Sequence, residues 1–358
     1  MRAAWYEWGG PAREVLTVGE MEDPRPGRGE VLVHVYASGV NPGETKKRSD
    51  WVGLGIGYPR VIPHSDGAGI VEGVGEGVPP SRVGERVWVW GAQSGRPFGT
   101  AAEYVAVPGG QAVGLPDGVG FETGACLGIP ARTAHRCVFA DGSVSGETVL
   151  VAGGAGAVGG LAVSFAKWGG AGTIATVGSE GHAEAAREAG ADHILNYRAE
   201  DVAARVGEIT GGAGVARVVE VALGRNVGLD NEVLSLGGTI AAYASDAEPE
   251  PKLPFWELLF KNAMIPKKGA SRGKPPIIGA AQRGSPWAAS RAGRGTHRRF
   301  PEPPRTSMHG RPVSDLLREF VTRANLRKAR PPRLPPSPRA PSRFGPVRSG
   351  RAQRSRDD

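Results

Sequence analysis

Residues 146–170, GETVLVAGGAGAVGGLAVSFAKWGG, decide how this chain folds. An apolar, β-branched run (Val149, Leu150, Val151) enters Gly154-x-Gly156-x-x-Gly159, and the spacing predicts a helix over 158–168 directly after it. A strand that turns on glycine into a helix N-terminus is the arrangement a dinucleotide site requires. The first glycine is expected to make the tight turn, and the second to let the backbone approach a pyrophosphate. The third lets helix close on strand, and free N–H groups at the helix start face the phosphates. GxGxxG by itself weighs little in a chain with 56 glycines; the flanking strand and helix give it meaning. Thr148 to Ala166 carries no charge and is long enough to suggest a membrane span. Its glycine density fits strand–turn–helix instead.

Downstream the alternation continues. Apolar runs at 173–177, 192–195, 216–221 and 238–243 are separated by helix-like stretches at 182–189, 199–210 and 227–236. Strands alternating with helices predict right-handed crossovers and a parallel sheet covered on both faces. Gly190 after Ala189, and Gly237-Gly238 after Leu236, read as helix stops. Upstream, short runs such as Glu30 to Val35, Gly69 to Val74, Glu85 to Val89 and Glu103 to Val107 are punctuated by glycine and proline. They predict a compact β-rich domain. The expected organisation is a β-rich domain over 1–125, an α/β domain over 126–265, and a low-complexity segment over 266–358.

Composition bounds the rest. Two cysteines, Cys126 and Cys137, argue against a disulfide framework or a cysteine-built zinc lobe and fit a reducing cytoplasm. The first ten residues lack a basic segment followed by an apolar run, so no secretory signal is expected. Net charge divides sharply: 21 Lys+Arg against 31 Asp+Glu over residues 1–265, a balance of −10, and 23 against 5 over 266–358, a balance of +18. The last segment holds 15 prolines among 93 residues and only 12 Leu, Ile, Val or Phe, a composition that predicts disorder. Its exception is Val313 to Lys328, where Val313, Leu316, Leu317, Phe320, Val321 and Ala324 share a helical face behind Ser314.

Several segments point to one family. Gly39-Val40-Asn41-Pro42-Gly43-Glu44-Thr45, Pro63-His64-Ser65-Asp66-Gly67-Ala68-Gly69-Ile70-Val71-Glu72, Leu127-Gly128-Ile129-Pro130-Ala131-Arg132-Thr133-Ala134 and Asn196-Tyr197-Arg198 resemble the zinc-independent quinone oxidoreductases. This is the zeta-crystallin-like branch of the medium-chain dehydrogenase/reductase superfamily, and the similarity runs from about residue 2 to 265. The resemblance implies an α/β fold with a GroES-like catalytic domain and a Rossmann domain. It implies NADPH-dependent reduction of a quinone or related conjugated carbonyl, in a cytoplasmic homodimer. A 2-alkenal or enoyl reductase uses the same scaffold and cofactor, and pocket shape divides the two. The zinc alcohol dehydrogenases carry a cysteine ligand where this chain has Asn41 and a His-Glu pair where it has Ser65-Asp66. No metal is expected, and with it no Lewis acid to lower an alcohol's pKa. His64 is the tempting metal residue, but a lone His beside a turn reads as structural.

The resemblance also assigns site residues. Asn41 and Thr133 line the nicotinamide side, and residues around Pro42, Thr45 and Lys46 contact cofactor or quinone. Lys46 stands where the family often has a tyrosine; it serves a developing quinol oxyanion or is simply solvated in Lys46-Lys47-Arg48. Gly154, Gly156, Ala157, Val158 and Gly159 are expected at the pyrophosphate. No carboxylate stands at the end of the second α/β strand, where NAD-selective sites place one; Gly178-Ser179 follows instead. A 2′-phosphate needs donors and positive charge. Ser179 and Tyr197 match the family's hydroxyl and tyrosine, while His182 takes the place of its lysine. Glu180 reads as a ribose ligand or a solvated acid, and Arg198 as an electrostatic helper or a surface charge. Val221, Ala222, Tyr243, Ala244 and Ser245 follow the fourth and fifth strands, at the carboxyl edge where such sheets bind ligand.

Nothing after Ile265 resembles the strands, dimer contact and return segment that the family has there. The Arg-, Pro- and Ser-rich text resembles a shifted reading frame in a GC-rich gene, which would leave an enzyme remnant of compromised activity. The competing reading is a basic arm whose charge binds nucleic acid in a salt-dependent way.

Overall fold

The structure, a computed structural model, describes residues 1–51, 53 and 55–265. The basic segment 266–358, including the helix expected over 313–328, lies outside the described residues.

The first half is built on antiparallel strands. β1 (Arg2–Trp5) and β2 (Thr17–Glu20) pair with each other and flank α1 (Ala12–Val15). β3 (Glu30–Gly39), β4 (Asp66–Val74), β5 (Arg86–Val89), β6 (Tyr104–Pro108) and β7 (Ala112–Gly114) form one sheet in the order β6-β3-β4-β5-β7. The alternation seen in the sequence is the reason. Val31 and Val33 of β3, Val71 of β4, Val87 and Val89 of β5, and Val105 and Val107 of β6 point to one buried face. α2 (Pro42–Arg48) follows β3, and α3 (Phe121–Ala125) runs through a π-helical turn, Leu127–Ala131, into α4 (Arg132–Phe139).

The second half is the expected parallel sheet. β8 (Thr148–Val151), β9 (Gly172–Val177), β10 (His193–Asn196), β11 (Val215–Glu220) and β12 (Leu234–Ala242) lie in the order β10-β9-β8-β11-β12, every pair parallel. The crossovers are α5 (Ala157–Trp168), α6 (Glu180–Glu188), α7 (Val202–Thr210) and α8 (Leu223–Val233). The strand order reverses at β8, so the loop after β8 sits at the sheet's switch point, where doubly wound folds bind ligands. One apolar cluster runs from Ala68 and Trp88 of the first sheet through Ala134 and Val138 of α4 to Val149, Val151 and Phe165 of the second. The two halves therefore share a core.

Three expectations need correction. α8 spans Leu223–Val233, not 227–236, so Gly237 is no helix stop. It lies inside β12 with φ +77°, next to a shift in the β11–β12 register, and glycine is needed there because a side chain rarely adopts that φ. The strand expected at 238–243 accordingly begins four residues earlier, at Leu234. A further helix, α9 (Phe255–Phe260), was not read from the sequence at all; it exposes Phe255, Trp256 and Phe260. Beyond it, Met264 pairs in parallel with Thr239, extending the sheet past β12.

Candidate active site

The glycine loop after β8 is shaped by contacts that leave no room for side chains. Gly153 carries the left-handed φ of +67° and so makes the tight turn; the sequence reading gave that role to Gly154. Gly154 is needed for another reason: a Cβ there would lie 2.6 Å from that of Ala175 on β9. A Cβ on Gly159 would lie 2.1 Å from the Gly153 carbonyl oxygen, so only glycine lets α5 close onto the turn. Gly154 N donates to Thr176 O at 3.0 Å, tying the loop to β9. Gly156 caps α5 with no side-chain hydrogen bond, and both Gly156 and Ala157 are exposed. The first turn of α5 is thus open to solvent at Gly156 and Ala157, with half-buried Val158 beside them and no side-chain cap on the helix start. This cradle fits a pyrophosphate.

At the end of β9, Tyr197 lies against Gly178, and Ser179 and His182 occupy the start of α6. A Cβ on Gly178 would sit 2.5 Å from Tyr197 Oη, so the phenol lies across this glycine. Ser179 caps α6, accepting from His182 N at 3.4 Å. His182 and Arg198 are exposed, and the Arg198 guanidinium lies 5.9 Å from the Tyr197 ring. Glu180 is exposed and reaches Arg187 at 3.9 Å, which marks it as a surface acid. The set supplies hydroxyl donors and positive charge without a facing carboxylate on the strand end.

The opposite strand ends are fastened to one another. Ala222 bridges Ser245, Leu223 N donates to Ala244 O at 3.2 Å, and Val221 stands beside Gly153. Ser245 Oγ accepts from Gly224 N at 2.9 Å and donates to Glu248 O at 2.5 Å, so this hydroxyl organises the loop. Tyr243 N donates to Glu220 O at 2.9 Å, and burial pushes its phenol up, keeping it protonated. Beneath this edge lie two fully buried carboxyls. Glu220 Oε1 accepts from Ala222 N and from Asn226 Nδ2. Glu220 Oε2 and both oxygens of Asp230 receive no hydrogen from any other group. Two carboxylates cannot share so dry a space, so one proton is held between them; desolvation, then the Glu220 charge, pushes Asp230 up to about 9.

On the catalytic half, Asn41 caps α2 and is buried, as is Thr133 near the start of α4. The Asn41 amide donates to Asp66 Oδ2 at 2.8 Å, and its backbone N–H donates to Glu44 Oε2 at 2.5 Å. Glu44 Oε1 also accepts from Ser65 N at 2.7 Å. Pro42 opens α2, and Thr45 Oγ1 donates back to Pro42 O at 2.8 Å. Lys46 is neither free nor simply solvated: it pairs with Asp246, just past the Tyr243–Ser245 edge, and stands 5.3 Å from the Trp51 ring. That pair joins the two halves.

Glu44 and Asp66 were missed as site residues, because nothing in their spacing announces a buried acid. A zinc ion does not fit this donor set. Asn41 and Ser65 offer neither thiolate nor imidazole, and the Asn41 amide is engaged by Asp66. His64 adopts a left-handed φ of +76°, and its Nδ1 meets Ser38 Oγ at 2.9 Å. Ser38 in turn meets Thr100 Oγ1 at 2.8 Å, and Thr100 donates to Asp66 O at 2.6 Å. Burial holds His64 below the usual histidine range, so it works as a neutral structural link in this hydroxyl chain.

Comparisons with known proteins agree with this geometry. Residues 27–117 match the alcohol dehydrogenase GroES-like domain, and residues 157–281 match the family described as zinc-binding dehydrogenase. The second match continues past Ile265, where the sequence reading ended the resemblance. The quinone oxidoreductase of Rattus norvegicus is 34% identical over 239 residues, 66% of this chain and 70% of that protein. The Escherichia coli quinone oxidoreductase, solved in complex with NADPH, superposes with a TM-score of 0.64 at 27% identity, covering 75% of this chain and 81% of the other. A 2-haloacrylate reductase gives 0.63 at 28% identity over the same shares. No described helix is long and apolar enough to cross a membrane. The chain belongs to the quinone oxidoreductases of the medium-chain dehydrogenase/reductase superfamily.

Proposed function

We propose that this protein is an NADPH-dependent quinone oxidoreductase. The observation that carries the reading is the glycine turn at the switch point, where Gly154 and Gly159 leave no room for side chains, joined to a hydroxyl-bearing end of β9 with no carboxylate on the strand itself. When bound, NADPH supplies the hydride that the acceptor takes up. Gly156, Ala157, Val158 and Gly159 hold its pyrophosphate; Gly178, Ser179, His182 and Tyr197 hold the 2′-phosphate; and Val221, Ala222, Tyr243 and Ala244 form the strand-end wall.

The chain's own work is binding and orientation. Asn41 and Thr133 wall the reacting end, α2 presents Pro42 and Thr45, and the Lys46–Asp246 pair closes the cleft from both halves. A quinone needs little more, since it accepts hydride readily once placed against the donor. The metal-free donor set disfavours alcohol oxidation, which needs a group to remove the hydroxyl proton. The quinol oxygens take their protons from solvent or a hydroxyl.

Steady-state rates with NADPH and a panel of quinones and conjugated enones test the reading. The expected result is turnover of quinones; no oxidation of NADPH with any acceptor by a folded, nucleotide-binding sample would defeat it. The 2-haloacrylate reductase neighbour favours enones as a second substrate class, and the same panel ranks the two. His182 stands where the resemblance implies a lysine, so a permanent cation at that position is expected to strengthen discrimination. His182→Lys should raise the NADPH-over-NADH ratio of kcat/KM about tenfold, the value of one charge-assisted phosphate contact.

A further inference from the structure

Asp66 takes no part in the binding and orientation just described, yet both walls of the cleft meet on it. It is fully buried at the start of β4. Its Oδ2 accepts from Asn41 Nδ2 at 2.8 Å, on the α2 wall, and from Ile129 N at 2.7 Å, inside the π-helical turn that leads to Thr133. Its Oδ1 has no partner and is pressed on the backbone at Gly128, where a Cβ would come within 2.0 Å. A dry carboxylate with one unsatisfied oxygen is a costly way to join two segments; a neutral amide would do it more cheaply. The π-helical turn it grips is itself a rare, high-energy form that recurs at functional sites.

We infer that Asp66 is a positioning residue for hydride transfer: as an anion it draws the Asn41 cap of α2 and the 127–131 turn onto a single oxygen, which fixes the separation of the two walls of the reacting end. The inference rests on the quinone reductase reading of the cleft. The charged and titratable groups around Asp66 are Glu44 from α2, Arg132 from α4 and Cys126 between α3 and the π-helical turn. Burial is the largest influence and Glu44 adds to it, against Ile129, Asn41 and Arg132; the carboxyl ends up near 6. The bridge therefore tightens as pH rises through that value.

The test uses the full chain, Asp66→Asn and Asn41→Ser. Asp66→Asn is expected to lower kcat by roughly tenfold or more at pH 7.5, the scale of a small misplacement of reacting groups. NADPH affinity, read by nucleotide fluorescence, should stay within about threefold, since the cradle is untouched. Wild-type kcat should fall on acidification through pH 6, and this limb should be absent in Asp66→Asn. Asn41→Ser cuts one arm only; it should lower kcat as well, and the double variant should be no slower than the worse single one. An acid limb that persists in Asp66→Asn, an unchanged kcat, or additive losses would each overturn the inference. If the wild type reduces no quinone or enone, the function reading fails. The bridge is then tested by melting curves, in which Asp66→Asn must remove one proton's worth of pH dependence between pH 4 and 6.

Discussion

Gly159→Ala should cost at least about a hundredfold in NADPH affinity, near 3 kcal/mol. The added methyl carbon would lie 2.1 Å from the Gly153 oxygen, 2.8 Å from its carbonyl carbon and 3.1 Å from Gly154 Cα. All three are backbone atoms of the turn, so no side chain can swing aside to admit it. Relief requires α5 to back away from β8, which pulls the first-turn amides off the phosphate position. Gly160→Ala is the matched control, since its nearest heavy atom outside the helix is the Gly154 oxygen at 3.5 Å, an ordinary contact. Titration calorimetry of both variants reads the difference. A Gly159→Ala protein that binds NADPH as the wild type does would remove the glycine turn from the site.

Stability should fall as pH rises from about 4 to 9, and Asp230→Asn should abolish most of that slope. The folded state holds a proton between Asp230 and Glu220 that the unfolded chain releases at ordinary carboxylate pH. Asp230 is pushed up to about 9, from 3.8. Its contribution is complete below the unfolded pKa and is lost as pH climbs toward the folded one, at about 1.4 kcal/mol per pH unit. Asp66, raised from 3.8 to about 6, adds to the same trend over the lower part of the window. An asparagine at 230 keeps a hydrogen toward Glu220 Oε2 without the second charge. Above pH 4.5 the variant should gain on the wild type by up to about 1.4 kcal/mol per pH unit and melt higher at pH 8, with little difference at pH 4.5. A difference in melting temperature that is the same at pH 4.5 and pH 8 would show that the pair shares no proton.

The parts of this protein that were legible in its sequence are those governed by periodicity and by local backbone demands. Val149 to Val151 running into glycines and then an unbroken helical stretch predicts β8, the turn and α5 to within a residue or two, because apolar spacing reports the repeat of each element. Ser179, His182 and Tyr197 were singled out by resemblance, and the fold lays Tyr197 across Gly178 next to the Ser179 cap of α6. Even here the glycine roles were misassigned. The positive φ falls on Gly153, while Gly154 must be glycine because of Ala175, a residue on the neighbouring strand. Gly237 misled for the same reason: a helix stop and a strand bulge ask the same of glycine, and only the β11–β12 register separates them.

By itself, the sequence determined the strand–helix alternation from β8 to β12, the dinucleotide turn, the lack of thiolate or imidazole at the positions of Asn41 and Ser65, and the sharp change in charge after Ile265. Each of these is a property of residues close together along the chain. Only the tertiary structure decided that Lys46 is held by Asp246, that Asp230 lies against Glu220, and that Asp66 gathers Asn41 and Ile129 onto one oxygen. Those outcomes join residues up to 200 positions apart. What a carboxylate does depends on how dry its surroundings are and which donors reach it, and chain folding alone sets both.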